Sequence, residues 1–261
     1  MQPNHDQRCA ALLVTLPWND LNSPSIQLGI LKSVAEANGF AARCAYLNLE
    51  FFALARQRCG LTLSDYFEIG WRLSQYGAGE WIFADAGSLP DSAREDRYIR
   101  YLRAQGVHEE QCNLVRRMRS LAGDFIDLAA LKITGASPDV VGISVMHSQT
   151  TASVALASRI KRISPGTRIV LGGANCEGEM GAALFDVYKH IDAVVTGAGE
   201  QPFVSLLCHW LEGAPKPAAP EVLLRDAVPR ADAAATPDRP SRFLLSDCPP
   251  ATTTTSRRSK D

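Results

Sequence analysis

Short, continuously apolar runs alternate with stretches of helical periodicity along most of this chain, and that alternation constrains the fold more than any other feature. Ala10-Ala11-Leu12-Leu13-Val14-Thr15-Leu16, ended by Pro17, lacks an in–out pattern and reads as a strand buried on both faces. Asn22-Ser23-Pro24-Ser25 leads into a helix over 26–38, where Ile26, Ile30, Leu31 and Val34 recur at helical spacing and Gly39 suits the C′ position. A second strand follows at 41–47, completing a βαβ unit whose connection is expected to be right-handed. The rhythm resumes with strands at 140–145, 168–171 and 191–195. Helices are expected at 151–163, 177–188 and 201–211, the last ending at Gly213. The expectation is a doubly wound, Rossmann-like or flavodoxin-like α/β domain over 8–213, with a parallel five-stranded sheet.

Between about 48 and 136 the alternation stops. This region is rich in Leu, Phe, Tyr, Trp, Arg and Glu and reads as an all-helical insertion, with a loop at 85–91. Leu114, Val115, Met118, Leu121, Ala122, Phe125, Leu128 and Ala129 form its clearest buried stripe. Beyond Gly213 eight of the fifteen prolines fall between Pro215 and Pro250, ahead of a Thr252–Thr255 tract. The Pro/Ala/Thr-rich segment 214–261 is therefore expected to be a disordered tail, with Leu223-Leu224 or Phe243-Leu244-Leu245 docking locally at most.

Composition narrows the function classes. A net charge of −1, from 27 basic and 28 acidic residues, gives no electrostatic case for nucleic acid or an anionic membrane surface. No apolar run approaches the roughly 20 residues of a membrane span, and the first residues lack a signal-peptide pattern, so a cytoplasmic protein is the expectation. The seven cysteines are dispersed, with no CxxC or CxxxCxxC group, so neither a protein metal site nor an iron–sulfur cluster is expected. Reduced thiols that mostly pack as small apolar groups are the expectation.

In an open parallel sheet, ligands bind beyond the C-terminal strand ends. The segments there are 17–27, 144–151, 172–177 and 196–201. Gly172-Gly173 permits tight turning and close approach to a bulky ligand, and Asn175 either contacts a ligand or caps the next helix. Gly197 and Gly199 leave backbone amides open at a helix start, while Glu200 is read as holding its own loop by bonding to amides. Ser144, His147, Ser148 and Gln149 belong to the most polar strand exit, where Ser148, Thr150 or Thr151 is expected to cap the following helix. His147 has no carboxylate at fixed spacing to make it a catalytic base, and Cys176, at a helix start, is either an activated thiol or a packing residue. With no GxGxxG, Walker sequence or nucleophile elbow, no catalytic residue is assigned.

Five segments carry a resemblance: PSIQLGILKSVAEANGF (24–40), YLNLEFF (46–52), GEWIFA (79–84), SQTTASVALASRIKRISPGTRIVLGGANCEGEMG (148–181) and IDAVVTGAGEQPF (191–203). Over about 8–213 the chain resembles the N-terminal cobalamin-binding region of B12-dependent radical SAM proteins, especially those maturing ribosomally made peptides. The resemblance implies cobalamin as cofactor, its cobalt the metal bound, held at the sheet edge by loops carrying Ser144, His147, Ser148, Gln149, Gly172, Gly173, Asn175, Gly197, Gly199 and Glu200. The DxHxxG sequence of other B12 modules is absent, so the resemblance assigns no lower axial histidine, and His147 is offset from any such motif. It also implies a radical SAM partner subunit and a ribosomal precursor peptide as partners. The expectation is a module without autonomous catalysis, the B12-binding part of a split or truncated radical SAM methyltransferase. The competing reading is a non-catalytic protein- or peptide-interaction domain that has lost corrin binding.

Overall fold

The computed structural model describes residues 9–86 and 91–225. Its sheet contains β1 (Ala11–Thr15), β2 (Ala42–Tyr46), β3 (Val140–Ser144), β4 (Arg168–Gly172), β5 (Ala193–Val195) and β6 (Val222–Leu224) in the order β2-β1-β3-β4-β5-β6. The first five are parallel. The chain leaves β1 toward β2 and returns on the other side at β3, so the switch point lies between β1 and β3. This is the expected doubly wound α/β arrangement, and every residue of β1 and β3 is buried.

The sixth strand departs from the sequence reading. Val222–Leu224, within the segment expected to be a tail, pairs antiparallel with β5 and covers its open edge. Arg225 anchors this strand: its amide donates to the Asp192 carbonyl, 2.9 Å away, and its guanidinium lies 3.9 Å from the Phe185 ring centre. Three apolar register pairs and one cation–π contact at a strand end suffice here because β5 supplies the ladder. The remainder of that segment, 226–261, and residues 87–90 of the expected 85–91 loop lie outside the described residues.

Alternation along the strands divides the core. Leu12, Val14 and Leu16 face one layer, which holds α7 (Thr150–Ile163), α8 (Gly178–Val187) and the helical insertion. Ala11 and Leu13 face the other, formed by α1 (Ile26–Ala37) and α9 (Glu200–Glu212). The face of α1 differs from expectation. Leu28 and Ala35 are its buried residues, whereas Ile26 is 74% and Ile30 43% exposed. Periodicity finds an apolar stripe but does not say which edge of it meets the sheet.

The insertion comprises α2 (Leu47–Cys59), α3 (Leu63–Phe67), a π-helical turn (Glu68–Arg72), a short 3₁₀ turn (Leu73–Tyr76), α4 (Ala78–Phe83), α5 (Ser92–Ala104) and α6 (Glu109–Gly135). The buried stripe of α6 runs from Cys112 to Ile133 and includes Ile126; Leu128, assigned to it from sequence, is instead exposed. Phe51 of α2 meets Phe125 edge-on with ring centres 5.0 Å apart, and Trp18, just past β1, meets Phe51 at 5.4 Å. Such pairs add about 0.5–1.5 kcal/mol each beyond area burial, which makes the insertion part of the sheet's own core. No described helix is long and apolar enough to cross a membrane.

Candidate functional site

Four loops leave the C-terminal edge of the parallel strands, and two are braced from behind by the insertion. The β1–α1 loop turns at Trp18, which has φ 75°. The Trp18 amide donates to the Tyr66 hydroxyl at 2.6 Å, and that hydroxyl donates to the Asn19 carbonyl at 3.0 Å. Tyr66 is buried, and burial holds its phenol above the ordinary range, so it stays a neutral two-way bridge.

The β3–α7 loop is held more tightly. Gln149, fully buried, donates from Nε2 to the Leu16 and Pro17 carbonyls at 2.7 and 3.2 Å, while its Oε1 accepts from the Met146 amide at 2.9 Å. Asn175 reaches across from the β4–α8 loop, its Nδ2 donating to the Met146 carbonyl at 2.9 Å and to Thr150 Oγ1 at 3.1 Å. The start of α7 is capped by Glu80 of α4, not by a hydroxyl of its own loop. The Thr150 and Thr151 amides donate to Glu80 Oε1 and Oε2 at 3.0 and 2.7 Å, and Thr151 Oγ1 donates to the Glu80 carbonyl at 2.7 Å. Gly79 makes that approach possible, since a Cβ there would lie 2.7 Å from Ser148 Cβ. A carboxylate thus occupies the anion-favouring end of α7.

Between α1 and α9 the edge opens into a cleft of about 190 Å³. Gln27, Leu28, Ile30 and Leu31 form one wall; Gly199, Glu200 and Phe203 form the other; Ser144, Gly172, Gly173 and Gly197 line the strand ends. Its depth comes from Gly142, which places no side chain between Leu13 and Phe203. Ser144, 7% exposed, makes no hydrogen bond from its hydroxyl to any described residue. Thr15, its register partner on β1, is buried with Oγ1 unpartnered. Two uncommitted hydroxyls in one buried layer have a desolvation cost that an incoming ligand can offset.

The ten residues singled out from sequence therefore fall into three groups. Ser144, Gly172, Gly173, Gly197, Gly199 and Glu200 line the cleft. Ser148 and Gln149 are buried behind it, and Asn175 clamps two loops together, so these three shape the edge from within. His147 stands exposed at the tip of the β3–α7 turn. Glu200 makes no hydrogen bond to its own loop; its carboxylate borders the cleft, and the start of α9 has no side-chain cap. The two glycines at 172–173 also differ. Gly173 has φ 104° and a Cβ there would lie 2.8 Å from the Val145 carbonyl, whereas a Cβ at Gly172 would meet Val195 at an ordinary 3.8 Å. Gly173 is thus fixed by backbone geometry, and a bulky residue there disturbs the fold before it tests a ligand. Cys176 is fully buried and burial pushes its thiol up to about 12, which makes it a packing residue.

Sequence reasoning missed Gln27, Gly142 and Phe203 in the cleft, and the bracing by Tyr66, Gly79 and Glu80. The exposed apolar side of α1 was the one signal for the cleft wall; the brace depends on contacts between residues about 50 to 70 positions apart, which no local pattern encodes.

A family model described as the B12 binding domain matches residues 99–207. The chain carries a B12-binding domain. The matched segment runs from within α5 through most of α9 and includes Ser144, His147, Gly172, Gly173, Gly197, Gly199 and Glu200. β1, α1 and β2 lie before it and complete the domain's sheet and one cleft wall. No curated protein matches the chain. Among solved structures, the chain is similar to the radical S-adenosylmethionine methyltransferase TsrM from Kitasatospora setae, bound to its tryptophan substrate and the SAM analogue aza-SAM. The identity is 14% and the TM-score 0.46, over 82% of this chain and 28% of that one.

The B12-binding domain's residues fit a corrinoid in a particular way. A cleft of about 190 Å³ is below the roughly 300–1,000 Å³ of pockets that enclose a whole drug-sized ligand. It suits one flat ring of a larger molecule, with apolar walls for its faces and the Ser144 hydroxyl for a ring nitrogen. Among the described residues no group of three or more His, Cys, Asp or Glu is placed to hold a metal ion.

Proposed function

We propose that this chain is a cobalamin-binding module whose α1–α9 cleft receives the benzimidazole of the nucleotide tail, while the corrin rests outside on the strand-end loops. The observation that carries the reading is the conjunction, inside the B12-binding domain, of an apolar slot with an uncommitted Ser144 hydroxyl at the strand ends. Leu28, Leu31 and Phe203 bury the ring faces, Ser144 bonds its outer nitrogen, and the open amides of α9 with Gly199 accommodate the phosphate linker. Gln27 and Glu200, on opposite walls, supply donor and acceptor groups to the ribose and the peripheral amides. When bound, cobalamin supplies a cobalt that carries a methyl group.

The resemblance of 148–181 and 191–203 to peptide-maturation enzymes supports a role beside radical SAM chemistry, in which this module holds the corrin and a radical SAM chain acts on a ribosomal precursor peptide. The module itself contributes binding and orientation and no autonomous turnover. The test is retention: folded protein mixed with hydroxocobalamin and desalted carries stoichiometric corrin absorbance if the reading holds, and none if it fails.

A second reading has one observation in its favour. Leu63, Phe67 and Trp71 recur at four-residue spacing on the insertion and are 45%, 37% and 82% exposed, a surface suited to a peptide or protein. Copurification of a partner by protein that retains no corrin would favour an interaction domain.

A further inference from the structure

The four strand-end loops are not held alike. Gln149 and Asn175 tie the β3–α7 and β4–α8 loops to their neighbours, and Tyr66 ties the β1–α1 loop to the insertion. The β5–α9 loop, which carries Gly197 and Gly199 into the cleft, has a different partner. Among the described residues only Glu221 bonds it to another segment: the Glu221 carbonyl accepts from the Thr196 amide at 2.8 Å and from Thr196 Oγ1 at 3.2 Å. Gly197 passes directly against Glu221, since a Cβ there would lie 3.2 Å from Glu221 Cγ. No side chain caps the start of α9, so the hydrogen bonds that place this wall of the cleft are the two that Glu221 accepts.

Glu221 lies in a lightly held segment. After α9 the chain runs back to the binding edge through Pro215, Pro217 and Pro220, which have no amide to donate, and then turns into β6. That strand has one neighbour, three register pairs and three half-buried residues, whereas β1, β3 and β5 are buried throughout. Its far end is held by Arg225, whose amide and Nε donate to the Asp192 and Ile191 carbonyls, both at 2.9 Å. Arg225 Nη2 is buried with no hydrogen-bond partner among the described residues, and burial pulls the guanidinium below the ordinary arginine range against Asp186 and Asp192. A charge desolvated without full pairing offsets part of what the ladder contributes. We propose that 214–225 is a releasable strap: docked, it fixes the Gly197–Glu200 wall of the α1–α9 cleft, and released, it frees that wall and lets the cleft's ligand go. Coupling of this kind is reciprocal, so a ligand seated in the cleft also holds β6 down. That the ligand is cobalamin rests on the reading above; the strap's grip on the wall does not.

The test uses the full chain, its Leu223→Pro variant, which breaks the ladder, and Arg225→Ala. Backbone ¹⁵N relaxation without ligand is expected to show Gly197 and Gly199 falling from an order parameter of about 0.85 to below about 0.6 in both variants, with Thr151 at the Glu80 cap unchanged. With hydroxocobalamin, wild type is expected to slow hydrogen exchange at the residue 225 amide, and both variants to release the corrin about tenfold faster at comparable association rates. Gly197 and Gly199 as rigid in both variants as in wild type overturn the inference. So does disorder that spreads equally to Thr151, which makes β6 part of the whole fold's stability, and so does an unchanged rate of corrin release. Folded wild-type protein that retains no corrin overturns the proposed function instead, and the relaxation comparison then decides whether the strap holds the wall.

Discussion

Glu80 of the insertion accepts from Thr151 of α7 at two places: the Thr151 amide donates to the Glu80 carboxylate and the Thr151 hydroxyl to the Glu80 carbonyl. The pair joins the helical insertion to the loop at the centre of the strand ends. Glu80→Ala leaves the Thr150 and Thr151 amides without their acceptor, and charged hydrogen bonds of this kind contribute about 1.5–3 kcal/mol. The expected outcome is a loss of about 2 kcal/mol in urea unfolding, with hydrogen exchange accelerated at those two amides. Unchanged exchange there would show that the cap is not formed in solution.

Gln149→Leu keeps the volume and removes three hydrogen bonds in a fully buried position. It strands the Met146 amide and loosens the ties to Leu16 and Pro17, so a loss of about 2–4 kcal/mol is expected. Thermal unfolding checks this; a variant as stable as wild type would contradict the strut role given to Gln149.

The neighbouring glycines should respond differently to one methyl group. At Gly173 a side chain meets both a left-handed φ and the Val145 carbonyl, and Gly173→Ala should cost about 1–3 kcal/mol. At Gly172 the added Cβ finds ordinary contact, and Gly172→Ala should leave stability within about 0.5 kcal/mol. Equal effects in denaturant melts would refute the distinction.

Cys176 gives a pH signature. Its thiol is pushed up to about 12 in the folded chain from an ordinary value of 9.0. The folded state therefore keeps a proton that the unfolded state releases, so its contribution is intact below pH 9 and is lost as pH rises toward 12. At pH 10 the expected loss is about 1 kcal/mol relative to pH 8, and Cys176→Ala should show that much less pH dependence. The same burial predicts that native Cys176 resists thiol reagents until the chain unfolds; rapid native labelling would contradict it.

Much of the fold was legible because each buried strand and its following helix are local objects. The 10–16 run and the 140–145 run announce strands through continuous apolar residues, and five of the six strands match within two residues at either end. β6 was not legible: Val222-Leu223-Leu224 is too short to signal a strand and becomes one only because β5 offers an open edge. In the site, Gly172 and Gly173 look identical in sequence and are separated by φ alone. Glu200 was assigned to its own loop since proximity in sequence was the available cue. Gln149 reads as a polar rim residue until its amide is found spanning from one strand exit to the next. The order of a loop's restraints, and hence the exposure of His147, is a property of tertiary packing.

If corrin binding depends on the cleft between α1 and α9, Gly172→Val weakens it, because valine suits a strand end and its branches fill the cleft rather than clash with the fold. Hydroxocobalamin is titrated calorimetrically into wild-type and Gly172→Val protein of matched circular dichroism and unfolding midpoint. The expected result is saturable one-to-one binding by wild type and an affinity at least about tenfold weaker in the variant, a loss of about 1.4 kcal/mol or more. Equal affinity in the two folded proteins, or no binding by wild type, would contradict it.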